Sequence, residues 1–318
     1  MASDRAPWHP APQWADPLIG LLATFSLLVA AAVMGARSPA PAGAANVLQE
    51  GLRRLPLPAQ AAAGLVLTLL LLGGLAFAFF LLATRTAPRP PAPAWGMSGR
   101  AVALVFLGWF LVYLVVNAAM AFSLRGHAQW RLPALPLSYA LHAAAGLWMV
   151  ARAEGLSLRE LLRRVLPGAA LPQLLLAPAF LALGFLLAFT ASVALAPLLR
   201  HAPGSQAQLV ELLRTARSPG LGLLVLLTVS VLAPVFEETL IRGFLLPWMG
   251  PRWGWGRALA ASSLLFAFIH LQLAALPALA ALGLGLGLAL WRTGSLRTSI
   301  AVHSLWNGAV FGLVRLLG

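Results

Sequence analysis

The 318-residue chain has no cysteine and no lysine, only eight acidic residues, and no acid at all in the 80 residues after Glu238. The first absence excludes disulfides, thiolate metal sites and cysteine nucleophiles. The second leaves all 22 basic residues as arginine, a bias shared with the abundant Ala, Leu, Gly and Pro and read as compositional. The last aspartate is Asp16, which excludes an intramembrane aspartyl protease. Charged residues make up 9% of the chain, where a water-soluble domain carries about 25%. What fills their place is apolar: 60% of residues are hydrophobic and the mean hydropathy is +0.87. No single soluble core hides that much apolar surface. The composition predicts an all-α, polytopic integral membrane protein. The net charge of +14 then belongs to headgroup contacts rather than nucleic acid, because the arginines lie mostly between apolar runs.

Stretches long enough to cross a bilayer, about 20 residues each, occur near 18–36, 59–83, 101–122, 134–150, 172–196, 220–246, 257–272, 274–291 and 299–317. This predicts eight or nine transmembrane helices. The organisation expected is a polar tail over 1–17, a transmembrane hairpin over 18–83, a Pro-rich linker over 84–100, further helices with amphipathic surface segments over 101–219, and a catalytic core over 220–318. The Pro-rich tail carries one arginine and does not resemble a cleaved signal peptide. Loops on the N-terminal side carry more arginine, which places the N-terminus inside.

Two connecting segments read as surface helices. Ser157–Leu158–Arg159–Glu160 fits a capping box and opens a run with Leu158, Leu161, Leu162 and Val165 on one side and Arg159, Arg163 and Arg164 on the other. Ser205-Gln206-Ala207-Gln208 offers a second box before Leu209, Leu212 and Leu213. Gly283, Gly285 and Gly287, in an otherwise apolar helix, suit close helix packing.

The chemistry concentrates where polar residues interrupt apolar helices. Glu237 and Glu238 break the run that begins at Gly220, and a charge at the centre of a bilayer helix costs about 2.5–3.5 kcal/mol. Arg242 lies four residues after Glu238, the favourable order for an ion pair, while Glu237 is turned about 100° around the helix. One carboxylate is therefore expected to be neutralised and the other left free. Pro234 removes a backbone donor just upstream and is expected to bend the helix. His270 ends the apolar run from Ser263, and His303 and Asn307 share one face of the last span. The other histidines, His9, His127, His142 and His201, fall in the tail, in loops or near a span end. A carboxylate beside an imidazole activates water, and a second imidazole with an amide stabilises an oxyanion, which together are the parts of non-covalent peptide hydrolysis.

These motifs resemble a known family. Glu237-Glu238-Thr239-Leu240-Ile241-Arg242 matches EExxxR, Phe266-Ala267-Phe268-Ile269-His270 matches FxxxH, and His303-Ser304-Leu305-Trp306-Asn307 matches HxxxN of the CPBP (CAAX protease and bacteriocin-processing, or Abi) intramembrane glutamic endopeptidases. The similarity spans roughly 220–317. It implies that Glu237 and His270 activate water, that His303 and Asn307 form the oxyanion site, and that Glu238 and Arg242 support the first carboxylate. It also implies no metal and no other cofactor, an active site inside a C-terminal four-helix core, and a membrane-associated peptide or protein as substrate. The partners expected are that substrate and the lipid bilayer, with no nucleic acid; oligomeric state is not legible. The composition resembles that of a bacterial inner-membrane protein, multi-pass in the cell membrane, and disfavours prenylated substrates.

Three alternatives compete. A zinc peptidase would use two His and one Glu, but no His-Glu-x-x-His occurs and Arg242 would oppose a divalent ion. Gly96-Met97-Ser98-Gly99 fits the GxSG of rhomboid-like serine proteases, yet it lies outside any span and Ser98 suits a helix cap. A transporter or scaffold would use the Glu, Arg and His cluster as an ion path, but charged sites would then recur through several spans.

Overall fold

The computed structural model describes residues 56–83, 95–166, 171–199 and 218–317. Every regular element among them is helical. In chain order these are α1 (Leu57–Ala83), α2 (Gly99–Ser123), the short α3 (Ala128–Arg131), α4 (Leu135–Ala153), α5 (Leu158–Val165), α6 (Leu171–Leu175), α7 (Ala177–Leu199), α8 (Pro219–Trp253), α9 (Trp255–Ile269), α10 (Leu276–Thr293) and α11 (Leu296–Leu317). The span expected at 18–36, the Pro-rich linker over 84–94 and the second capping box at Ser205 lie outside the described residues.

Five of the described helices are long and apolar enough to cross a bilayer: Leu57–Phe80, Gly99–Ser123, Leu171–Leu199, Pro219–Trp253 and Leu273–Thr293. The chain is a multi-pass membrane protein. The expected eight or nine spans are not reached by this measure, for a physical reason. Helices stand at 134–150, 257–272 and 299–317 as expected, but α9 has only 15 residues. Meanwhile α4 and α11 devote positions to Ser138, Tyr139 and His142, and to Thr298, Ser299, His303 and Asn307. These polar groups lower hydropathy because they belong to an interior.

That interior is inverted relative to a soluble protein. Leu65, Leu69, Phe79, Leu104, Leu107, Val115, Leu223 and Leu227 are exposed, whereas Glu238, Arg242, Thr298 and Ser299 have no exposed surface. In lipid the apolar side chains gain nothing by hiding, and polar ones must find partners inside.

Glycines set the closest approaches. α10 packs against α7 and α9, and α1 also lies on α7. A Cβ on Gly283 would stand 3.0 Å from the Cα of Ser263, so α9 and α10 touch through backbone there. Gly285 faces Gly184 of α7. α2 pairs with α4, and α8 runs between α4 on one side and α11 on the other. This placement gives α8 neighbours from both halves of the chain.

Local signals are met where they fall. Ser157 and Glu160 form the reciprocal box that starts α5, and Ser98 caps α2 by accepting from the Ala101 N–H at 3.2 Å. Glu154 accepts from the N–H groups of Gly96 and Met97, at 3.2 and 2.8 Å, fixing the segment before α2. Trp248 and Arg252 of α8 donate to carbonyls of that same segment.

Candidate functional site

Pro234 does not simply bend α8. Position 234 has no N–H, so an ordinary helix would leave a carbonyl one turn back without a donor. The preceding turn, Thr228–Leu232, instead widens to π geometry, with the Ala233 N–H bonding the Thr228 carbonyl. In that register the Val229 carbonyl points at the proline, and Asn307 of α11 supplies the missing donor through Nδ2 at 2.7 Å. Because a carbonyl only accepts, the contact also fixes which way the Asn307 amide faces. A second π turn, Thr239–Leu245, follows the acidic pair, so Glu237 and Glu238 sit on a short α segment, Ala233–Glu238, between two wide turns.

The two carboxylates have opposite surroundings. Glu238 is fully buried and satisfied on both oxygens. Its Oε1 accepts from Arg242 Nη1 at 3.0 Å and faces His303 Nδ1 at 3.0 Å; its Oε2 accepts from the Ser299 hydroxyl at 2.6 Å. Arg242 is equally buried, donates through Nη2 to the Gly283 carbonyl at 3.0 Å, and lies 4.4 Å above the Phe266 ring. The expected ion pair is thus formed inside protein. Paired to Arg242, the Glu238 carboxylate accepts only, so His303 Nδ1 donates and Nε2 points the other way.

Glu237 is held by one bond. Its Oε1 accepts from the Tyr139 hydroxyl of α4 at 2.7 Å, while Oε2 is buried without a hydrogen-bond partner among the described residues. Facing Oε2 are His270 Nε2 at 3.8 Å and His303 Nε2 at 3.9 Å. Those separations are too long for direct hydrogen bonds and suit one water molecule between the atoms. His270 donates from Nδ1 to the Phe266 carbonyl at 2.6 Å, so its Nε2 lone pair is directed to the same point. The helix stops at His270 because Leu271 takes a left-handed conformation, φ +53°. With its side chain 25% exposed, against 2% for His303, His270 forms the open side of the site.

The structure therefore brings Glu237, Glu238, Arg242, His270 and His303 together, with Asn307 one turn beyond His303 and bonded to the helix that carries the acids. Asn307 keeps a second amide hydrogen beyond the one given to Val229. Among the described residues no three His, Asp or Glu are grouped so as to hold a metal ion.

Two residues escaped the sequence. Tyr139 comes from 98 positions upstream of Glu237, and its signal was a lone tyrosine one turn before His142 in an apolar stretch. Ser299 precedes His303 by four on α11 and was legible as a same-face neighbour. His142 is a correction: it lies in the middle of α4, not near a span end, and is buried beside Tyr113, Tyr139 and Phe236. The expected span over 134–150 already centres on this position, and the aromatic neighbours explain why a histidine is buried there.

Residues 219–309 match the family model described as type II CAAX prenyl endopeptidase Rce1-like, so the chain carries an Rce1-like domain of the CPBP family there. The matched segment contains all seven motif residues and excludes Tyr139. No curated protein matches the chain, and no solved structure does.

Proposed function

We propose that this chain is an intramembrane endopeptidase whose Rce1-like domain hydrolyses a peptide bond of a membrane-associated protein or peptide without a covalent intermediate. The observation that carries the proposal is the free Glu237 Oε2, turned toward the Nε2 atoms of two imidazoles at 3.8 and 3.9 Å. A water at that point gives a proton to Glu237 or His270 as it attacks the scissile carbonyl. The same group then returns the proton to the leaving amine.

The other histidine serves the oxyanion. Glu238 takes the His303 Nδ1–H, and Nε2, aimed at the reacting centre, is the atom that donates when the ring carries a second proton. There, with the second amide hydrogen of Asn307, it stabilises the tetrahedral oxyanion, an effect worth about 2.7–4 kcal/mol per donor in a water-poor site. Glu238 and Ser299 keep His303 oriented, and Arg242 keeps Glu238 charged and still. No metal or cofactor takes part in this scheme.

The test is cleavage in proteoliposomes. Glu237→Ala and wild type are reconstituted with a library of short membrane-anchored peptides, and products are read by mass spectrometry. Loss of a general base costs about 10²–10⁴-fold in rate. Unchanged cleavage in Glu237→Ala, or ion flux without cleavage in wild type, overturns the proposal. Inhibition by EDTA that zinc reverses would replace it with a metallopeptidase.

A further inference from the structure

Resting on the proposed hydrolytic site, we infer that Tyr139 is its positioning residue and that the active site extends beyond the Rce1-like segment to α4. The Tyr139 hydroxyl donates to Glu237 Oε1 at 2.7 Å, the one hydrogen bond that the Glu237 side chain receives among the described residues.

A glutamate's terminal torsion is broad, so nothing intrinsic to the side chain fixes the plane of its carboxylate. The phenol does so. By holding one oxygen on the α4 side it keeps the other at the point shared by His270 Nε2 and His303 Nε2. Tyr139 acts through Glu237 rather than on the reacting atoms.

The phenol is itself held. Its ring lies 4.8 Å from that of His142, which stands edge-on to Tyr113 at 5.3 Å and to Phe236 at 5.8 Å. Phe236 is the residue before Glu237, so the same aromatic group supports both the phenol and the carboxylate's own helix. Gly146, one turn after His142, lets this group close: a Cβ there would meet Trp109 at 2.8 Å and Phe236 at 3.2 Å. α4 therefore reaches α8 through a ring cluster that ends on one hydrogen bond to the reactive acid.

The chain has two tyrosines, Tyr113 and Tyr139, which makes the test clean. In the reconstituted full chain, Tyr139→Phe is expected to lower kcat about 10- to 100-fold, the range for losing a hydrogen bond to a charged group, with KM unchanged. In a Glu237→Gln background the same substitution is expected to add no further loss. Tyr113→Phe is expected to keep the wild-type rate. A second measurement does not depend on any Tyr139 variant folding. With 3-fluorotyrosine at both sites, the fluorine resonance of Tyr139 is expected to move when Glu237 becomes Gln, and that of Tyr113 to stay.

Wild-type kcat in Tyr139→Phe, a change confined to KM, additive loss in the Glu237→Gln background, an equal loss in Tyr113→Phe, or an unmoved Tyr139 resonance would each overturn the inference. The parent proposal fails differently, by undiminished cleavage in Glu237→Gln.

Discussion

Removing Arg242 is the most discriminating perturbation of the site's framework. Arg242→Met keeps the length and apolar bulk of the side chain and deletes its charge. Two accounts of the Glu238–Arg242 pair give different magnitudes. As an exposed i,i+4 pair on a helix it would contribute about 0.3–0.5 kcal/mol. The structure places both side chains at 0% exposure, 3.0 Å apart, with no water to take over either charge. Deleting one partner of a buried pair costs about 3–5 kcal/mol, a fall of about 10²- to 10⁴-fold in the folding equilibrium. That is about a fifth or more of the total stability of a typical domain. The Gly283 carbonyl also loses its donor, so the upper end of the range is expected.

Glu238→Gln combined with Arg242→Met removes both charges, leaves the amide oxygen for His303 Nδ1, and turns the amide NH2 to Ser299 Oγ, whose own hydrogen is taken by the Leu286 carbonyl. Replacing both members of a buried pair is often close to neutral, so the double variant is expected to recover most of the lost stability. It is not expected to recover activity, because His303 has lost the anion that supports its protonated form. Reversible unfolding in mixed micelles of rising SDS fraction, followed by tryptophan fluorescence and helicity, measures the stabilities. Cleavage in proteoliposomes measures the activity. A loss below about 1 kcal/mol in Arg242→Met, or a double variant no more stable than the single, would refute the reasoning.

Two further outcomes are expected. Gly283→Ala places a methyl 3.0 Å from the Ser263 backbone and 3.1 Å from Arg242 Nη2, so α9 and α10 must part and about 1–3 kcal/mol is lost. Gly287→Ala meets only the end of the Leu259 side chain, which can rotate away, so it is expected to cost less in the same unfolding assay; the opposite ranking would refute the packing argument. In α5, the Ser157 hydroxyl and then the Ser157 N–H hold the Glu160 carboxyl below the usual carboxylate range. The depressed group stabilises the start of α5 above the carboxylate range and ceases to as pH falls through the folded value. Amide exchange at 160–162, normalised for intrinsic rate, should therefore lose protection toward acid in wild type and show a weaker dependence in Ser157→Ala, which keeps the backbone N–H contact.

How much of this was legible in the sequence depends on the range of each interaction. Glu238 with Arg242, Ser157 with Glu160, and Ser98 as a cap are separated by four residues or fewer, and helical spacing alone states them. The alignment of His270 and His303 with Glu237 rests on the motif resemblance, since spacing within one helix says nothing about which helices meet. The wide turns around the acidic pair were invisible. Pro234 announced a fault in the ladder, but its repair by Asn307 uses a residue 78 positions from Val229. Hydropathy marks only five of the described helices as spans for a related reason: α4 and α11 carry polar side chains whose partners lie on other helices.

The two adjacent glutamates show why the site is not a by-product of folding. Glu238 has as many donors as a buried carboxylate can use, and its burial is explained by Arg242, Ser299 and His303. Glu237 has one donor and one orphaned oxygen, in surroundings where an unsatisfied polar atom costs about 1–3 kcal/mol or more when charged. Stability alone would favour an apolar residue at 237, since one oxygen of its carboxylate is buried with no partner among the described residues. Yet four helices converge on that oxygen: α8 carries it, α4 turns it, and α9 and α11 direct imidazole nitrogens toward it. A fold that brings three other helices to one underpaired atom has given up stability at a point that a water or substrate group from outside the protein would complete.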